Sequence, residues 1–155
     1  MLEIWPENVQ PSNKFLAYFA AAQELKEKKE AEGGKCRSIL VVDDEESVAN
    51  TTVEILNRAG FCAFVAYDGE TALELAAKFH PDILLTDVVM PSMSGRQVAD
   101  ALSGSRPGMK VLYLSGYTDN TVVHHGVLES GVNFLPKPFS RESLAKKIRE
   151  VLSKT

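Results

Sequence analysis

Cysteine is scarce in this chain, positive charge is outnumbered, and no apolar run is long. Cys36 and Cys62 are the only cysteines among 155 residues. They stand far apart, in no CxxC pair and with no neighbouring His, which fits reduced structural thiols. Lys and Arg number 17 against 21 Asp and Glu, a formal net charge of −4, which offers no footprint for nucleic acid or an anionic membrane surface. No stretch approaches the roughly 18–20 apolar residues that span a bilayer, and the N-terminus has no basic region leading into an apolar signal core. These absences predict a cytoplasmic protein with no nucleic-acid or membrane partner. Internal repeats are lacking too, and the one biased tract, the Lys/Glu run of residues 24–32, reads as a solvated helix face.

A length of 155 residues suits one domain with a sizeable core plus an appendage. Residues 1–37 are the appendage. Trp5-Pro6 and Gln10-Pro11 punctuate an irregular start, and NKFLAYFAAAQELKEKKEAEGG is rich in helix formers up to a stop at Gly33-Gly34. Phe15, Leu16, Phe19, Ala22 and Leu25 share one helical face, which needs cover from its own domain or from another copy of the chain. A linker is the remaining alternative.

Residues 38–155 alternate short apolar runs with helical patterns. Strands are expected at 38–42, 62–67, 82–86, 110–115 and 132–135, and helices at 46–59, 69–79, 95–104, 119–129 and 140–153. Gly60, Gly69, Gly95, Gly116 and Gly131 stand near the junctions. Repeated strand–helix units of this length imply right-handed crossovers and a parallel sheet covered by helices on both faces.

In such a sheet ligands sit beyond the carboxyl ends of the strands, where the strand order reverses. The first run, SILVV, ends in Asp43, Asp44, Glu45 and Glu46; like charges gathered there need a helix start or a cation. After the third run comes Asp87, after the fourth Ser115, after the fifth Lys137. With strand order 2-1-3-4-5 these ends are neighbours, and carboxylates, a hydroxyl and an ammonium meet in one crevice. Oxygen donors with no His or Cys nearby point to a hard ion, Mg²⁺, on Asp43, Asp44 and Asp87, which leaves Glu45 and Glu46 to the following helix. Lys137 and Ser115 suit phosphoryl oxygens, and a carboxylate can itself be the nucleophile that becomes an aspartyl phosphate.

The segments ILVVDDE, DILLTDVVMPSMSG, VLYLSGY and FLPKPF, in that order, resemble the signature segments of response-regulator receiver domains, the chemotaxis-regulator-like domains of two-component signalling, over about Ser38 to Leu152. The resemblance implies a flavodoxin-like fold, a doubly wound five-stranded parallel sheet of order 2-1-3-4-5, here with an N-terminal helical extension. It implies Asp87 as phosphoacceptor and Asp43, Asp44, Asp87 and the Val89 backbone carbonyl as Mg²⁺ ligands. It further implies Ser115 and Phe134 as the switch pair, Lys137 as the phosphoryl-binding lysine, and a cis peptide between Lys137 and Pro138. The donor would be a sensor histidine kinase or a histidine phosphotransfer protein. Phosphorylation would alter the surface of residues 119–129, the fifth strand and the last helix; that surface, or the N-terminal helix, is where a homodimer would form. Residues 111–139 also resemble receivers of hybrid sensor kinases, and FLAYFAAA resembles the last strand of a kinase ATP-binding domain followed by a linker.

Gly116 stands where many family members have Ala, leaving room beside Ser115, and Phe134 where Tyr is common, so the switch ring has no hydroxyl. Val89 and Tyr117 lie two positions beyond Asp87 and Ser115. Neither is a strong base or an amide, which predicts slow loss of the phosphoryl group. Other conspicuous residues read as structural: Asp82 in a turn or cap, His80 at a helix end, His124 and His125 exposed on a helix, Met90, Pro91 and Met93 in loop packing. With no module expected after the last helix, a switch is expected rather than an enzyme. One alternative is a relay intermediate or phosphate sink with no output. A metal-dependent phosphohydrolase is disfavoured, because its nucleophile follows the first strand and no capping insertion is present. Acids in place of a phosphate loop disfavour a flavin or nucleotide module.

Overall fold

The computed structural model describes residues 13–31, 37–91, 93–104, 108–115 and 133–153. One parallel sheet contains β1 (Ser38–Val42), β2 (Cys62–Ala66), β3 (Ile83–Asp87), β4 (Lys110–Ser115) and β5 (Asn133–Pro136), in the order β2-β1-β3-β4-β5. The helices are α1 (Asn13–Ala31), α2 (Glu46–Arg58), α3 (Gly69–Phe79), α4 (Gly95–Ser103) and α5 (Arg141–Ser153). The helix expected at 119–129 lies outside the described residues, as do Cys36, Gly116, Tyr117, His124, His125 and Gly131. Among the described residues no helix is long and apolar enough to cross a membrane.

Every residue of β1 is buried, which is why SILVV shows no alternation: helices cover both faces of the strand. Successive side chains sort into two cores. Leu40, Val42, Phe64 and Leu84 pack with Leu75 and Phe79 of α3 and Val98 and Leu102 of α4. On the opposite face Ile39, Val41, Ile83, Leu85, Leu112 and Leu114 pack with Leu56 of α2 and Leu144 and Ile148 of α5. The starts of α3, α4 and α5 are fixed by short polar side chains. Asp68 accepts from the Thr71 N–H at 2.8 Å, Ser94 and Gln97 form a capping box, and Ser140 accepts from the Ser143 N–H at 3.0 Å. His80 closes α3 in the left-handed region, φ 50°, its N–H donating to the Ala76 carbonyl.

Two expectations are corrected. β3 starts at Ile83 rather than Asp82, because Asp82 ties the strand starts together. Its Oδ2 accepts from the Ser38 N–H at 2.9 Å, its own N–H donates to the Ser38 carbonyl at 2.9 Å, and its carbonyl accepts from the Lys110 N–H at 2.9 Å. Asp87 thereby becomes the last residue of the strand. The second correction concerns α1, which is helical from Asn13, so FLAYFAAA forms no strand. Its apolar residues gather in its first half and Lys and Glu in its second, so it is not the two-faced helix expected. The side chains of Phe15, Leu16, Phe19 and Ala22 lie outside the described set; Leu25 is half-buried. α1 lies against β2 and α3.

Candidate functional site

The strand order brings the carboxyl ends of β1, β3, β4 and β5 side by side. Asp43 and Asp44 follow β1, Asp87 ends β3 opposite Leu114, and Ser115 ends β4 opposite Pro136, with Lys137 next along the chain. One carboxylate oxygen from each of Asp43, Asp44 and Asp87 lies within 4.8 Å of the others. Lys137 Nζ donates to Asp43 Oδ2 at 2.8 Å and stands 3.6 Å from Asp87 Oδ2. The other oxygen of Asp43, Oδ1, accepts from the Glu45 N–H at 3.0 Å. Asp43 is wholly buried and Asp44 exposed, so the cluster has a fixed inner wall and an open side. The Lys137–Pro138 peptide is cis, as the resemblance implied.

Burial first of all pushes the Asp87 carboxyl up to about 6. Lys137 pulls the other way, Asp43 and then Asp44 add to the rise, and the Val88 N–H opposes it. For Lys137 burial disfavours the ammonium, yet the Asp43 hydrogen bond and the charges of Asp87, Asp43 and Glu45 outweigh it, so its pKa is raised. One ammonium thus faces three carboxylates in a largely buried place. The excess negative charge and the all-oxygen donor set fit a hard divalent cation.

Backbone contacts hold Asp87 in place. The Thr86 hydroxyl donates to the Asp87 carbonyl at 3.0 Å, and the Gly95 N–H to the Val88 carbonyl at 3.0 Å. At Gly95 the helix passes so close that a Cβ would collide with the Asp87 carbonyl. That requirement is invisible in the sequence beyond a glycine at a helix start. Beside the cluster opens a cleft of about 740 Å³, lined by Asp44, Val48, Ile55, Asp87, Val89, Lys137 and Phe139 among others. Its apolar wall from α2 and Phe139 also went unforeseen, because those residues pattern as ordinary helix and loop. Glu45 takes the N-cap position of α2 and Glu46 its first turn, as expected.

Phe134 is half-buried, pairs in register with Tyr113, and packs on the α3–α4 side of the sheet. Val89 is 45 % exposed at the cleft. The Ser115 side chain and Tyr117 lie outside the described residues. Cys62 is buried and forms no disulfide among the described residues, while Met90 is buried and Met93 lies over Gly69, both in loop packing.

A 2-1-3-4-5 parallel sheet with acids and a lysine at its carboxyl edge defines a doubly wound α/β domain whose cluster can hold a cation. The sequence pattern of the response regulator receiver domain matches residues 39–149, and the chain belongs to that family, the signalling domains of two-component systems. It is 33 % identical over 136 residues to the sensor kinase CckA of Brucella abortus, covering 86 % of this chain and 14 % of that protein. It is 35 % identical over 118 residues to the response regulator MprA of Mycobacterium tuberculosis, covering 76 % of this chain and 51 % of MprA. The chain therefore spans about half of one relative and a small part of the other. The chemotaxis protein CheY4 of Vibrio cholerae superposes with a TM-score of 0.68 at 30 % identity, over 75 % of this chain and 98 % of CheY4.

Proposed function

We propose that this chain works in the cytoplasm and that Asp87 is its phosphoacceptor, taking a phosphoryl group from the phosphohistidine of a sensor histidine kinase or histidine phosphotransfer protein. The observation that carries this reading is the carboxylate cluster with Lys137 reaching across it to Asp43 and Asp87. An Asp87 oxygen bonds to phosphorus as the P–N bond breaks, and the imidazole leaves with the electron pair. Asp43, Asp44, Asp87 and the Val89 carbonyl are the residues that would hold Mg²⁺, which when bound neutralises charge on the phosphoryl oxygens. Lys137, held by Asp43, offers its remaining N–H donors to the phosphoryl group. The cleft walled by Val48, Ile55 and Phe139 gives the donor's side chain an apolar seat next to Asp87. Ser115 and Phe134 would form the switch, the hydroxyl moving to the phosphoryl group and the ring filling the space it leaves. Phosphorylation can shift such a pair only by its differential contact with the two states.

The test is incubation of the full chain with acetyl phosphate, with and without Mg²⁺, read by intact mass. Wild type should gain one phosphoryl group, only with Mg²⁺. Asp87→Asn and Asp44→Ala should gain none while keeping their fold, since Asp44 is exposed and each change removes a repulsive charge. Mg²⁺-dependent labelling of either variant at the wild-type level would overturn that residue's assignment.

A further inference from the structure

The sheet has two edges, β2 and β5. On β2 the Cys62 N–H donates to the Arg37 carbonyl, and the Ala66 carbonyl accepts from the Asp43 N–H. The alternation of a parallel ladder therefore turns the backbone groups of Ala63 and Val65 away from β1, toward the open side. At Ala63 that side is already taken. Its N–H donates to Asn57 Oδ1 at 2.7 Å, and its carbonyl accepts from Asn57 Nδ2 at 3.2 Å. One side-chain amide at the end of α2 makes the pair of bonds that another strand would make. Farther out runs α1, whose Ala21 and Leu25 share with Asn57, Ala63 and Val65 a cleft of about 230 Å³. Neither core cluster contains a residue of α1 whose side chain is among those described. The match to CckA covers 86 % of the chain, more than the residues from Ser38 onward can supply, and so reaches back toward α1.

An edge strand with free backbone groups is a template for a strand of another molecule. We propose that Asn57 and α1 together form an edge guard. Asn57 occupies the outward groups of Ala63 and α1 screens those of Val65, so β2 cannot be extended by β2 of a second copy of this chain.

The test uses the full chain with Asn57→Leu, which removes both bonds at similar volume, with Leu25→Lys, which puts a charge under α1, and with both together. Amide exchange is read at Ala63 and Val65, with the amides of β1 and β3 as a control for the fold, and molar mass is followed over a wide concentration range by light scattering. In dilute wild type both edge amides should be protected, with a mass that does not rise through β2. Asn57→Leu should speed exchange at Ala63, Leu25→Lys at Val65, each about tenfold or more. The double variant should associate as concentration rises, with Val65 becoming protected again. Leu25→Lys lies outside both cores, so its result stands even if Asn57→Leu impairs folding. Unchanged exchange in Leu25→Lys, a folded double variant that keeps the wild-type mass, or wild type that gains mass with rising protection at Val65 would each overturn the edge guard.

Discussion

At the residue scale the strongest constraint falls on Asp87. Its pKa is raised to about 6 chiefly by burial, so ionising it costs folding free energy. That cost is absent well below pH 4, where the carboxyl is protonated both folded and unfolded; it grows as pH rises from about 4 to about 6 and is fully present above about 6. Asp87→Asn removes it. In chelated, cation-free buffer the variant should be more stable than wild type by about 1–2 kcal/mol near pH 7.5, with most of the gain gone near pH 4. Denaturant unfolding at the two pH values checks this. Val89 is the second residue of interest: 45 % exposed beside Asp87, it bears neither a base nor an amide to orient a hydrolytic water. Replacing Val89→Asn together with Tyr117→Glu should speed loss of the phosphoryl group by at least about tenfold, roughly 1.4 kcal/mol of barrier. Decay after removal of the donor, with Mg²⁺ saturating, measures it. An unchanged rate would mean these side chains do not govern the water.

At the element scale, strand ends and helix starts were legible wherever chemistry and periodicity changed together. SILVV running into acids marks the end of β1, and the helical pattern opening at Gly95 marks the start of α4. Asp82 misled by one residue because an acid that ties three strand starts together looks, in sequence, like the first polar position of a strand. α1 misled in another way: helix formers fixed its existence, but the split of apolar and charged residues between its halves defeats a facial reading. Gly95 was legible only as a junction, since the approach of α4 to the Asp87 carbonyl is a tertiary fact. Gly95→Ala must push α4 or the end of β3 aside. It should cost about 1–3 kcal/mol of stability and slow phosphorylation by acetyl phosphate, because the displaced group is the backbone of Asp87. Thermal unfolding and the labelling rate report on the two effects separately; a variant normal in both would remove Gly95 from any role in positioning Asp87.

At the scale of the whole molecule, the strand order turns scattered acids into a site. Asp43 and Lys137 are 94 positions apart, and no local pattern pairs them; their meeting follows only from β1, β3, β4 and β5 lying in that order. Reading the residue after each strand recovered most of the cluster. The ion pair between Lys137 and Asp43 escaped, as did the apolar wall of the cleft, because each depends on where loops and helices fold over the sheet edge. The central claim is that the phosphoryl group lands on Asp87, and chemical mapping tests it most directly. Borohydride reduces an aspartyl phosphate to homoserine. The full chain would be phosphorylated with acetyl phosphate and Mg²⁺, reduced, digested and sequenced by tandem mass spectrometry. The account predicts homoserine at position 87 alone, and none without Mg²⁺. Homoserine at Asp43 or Asp44 with Asp87 unmodified, or a phosphoryl group found instead on a hydroxyl or an imidazole, would contradict it.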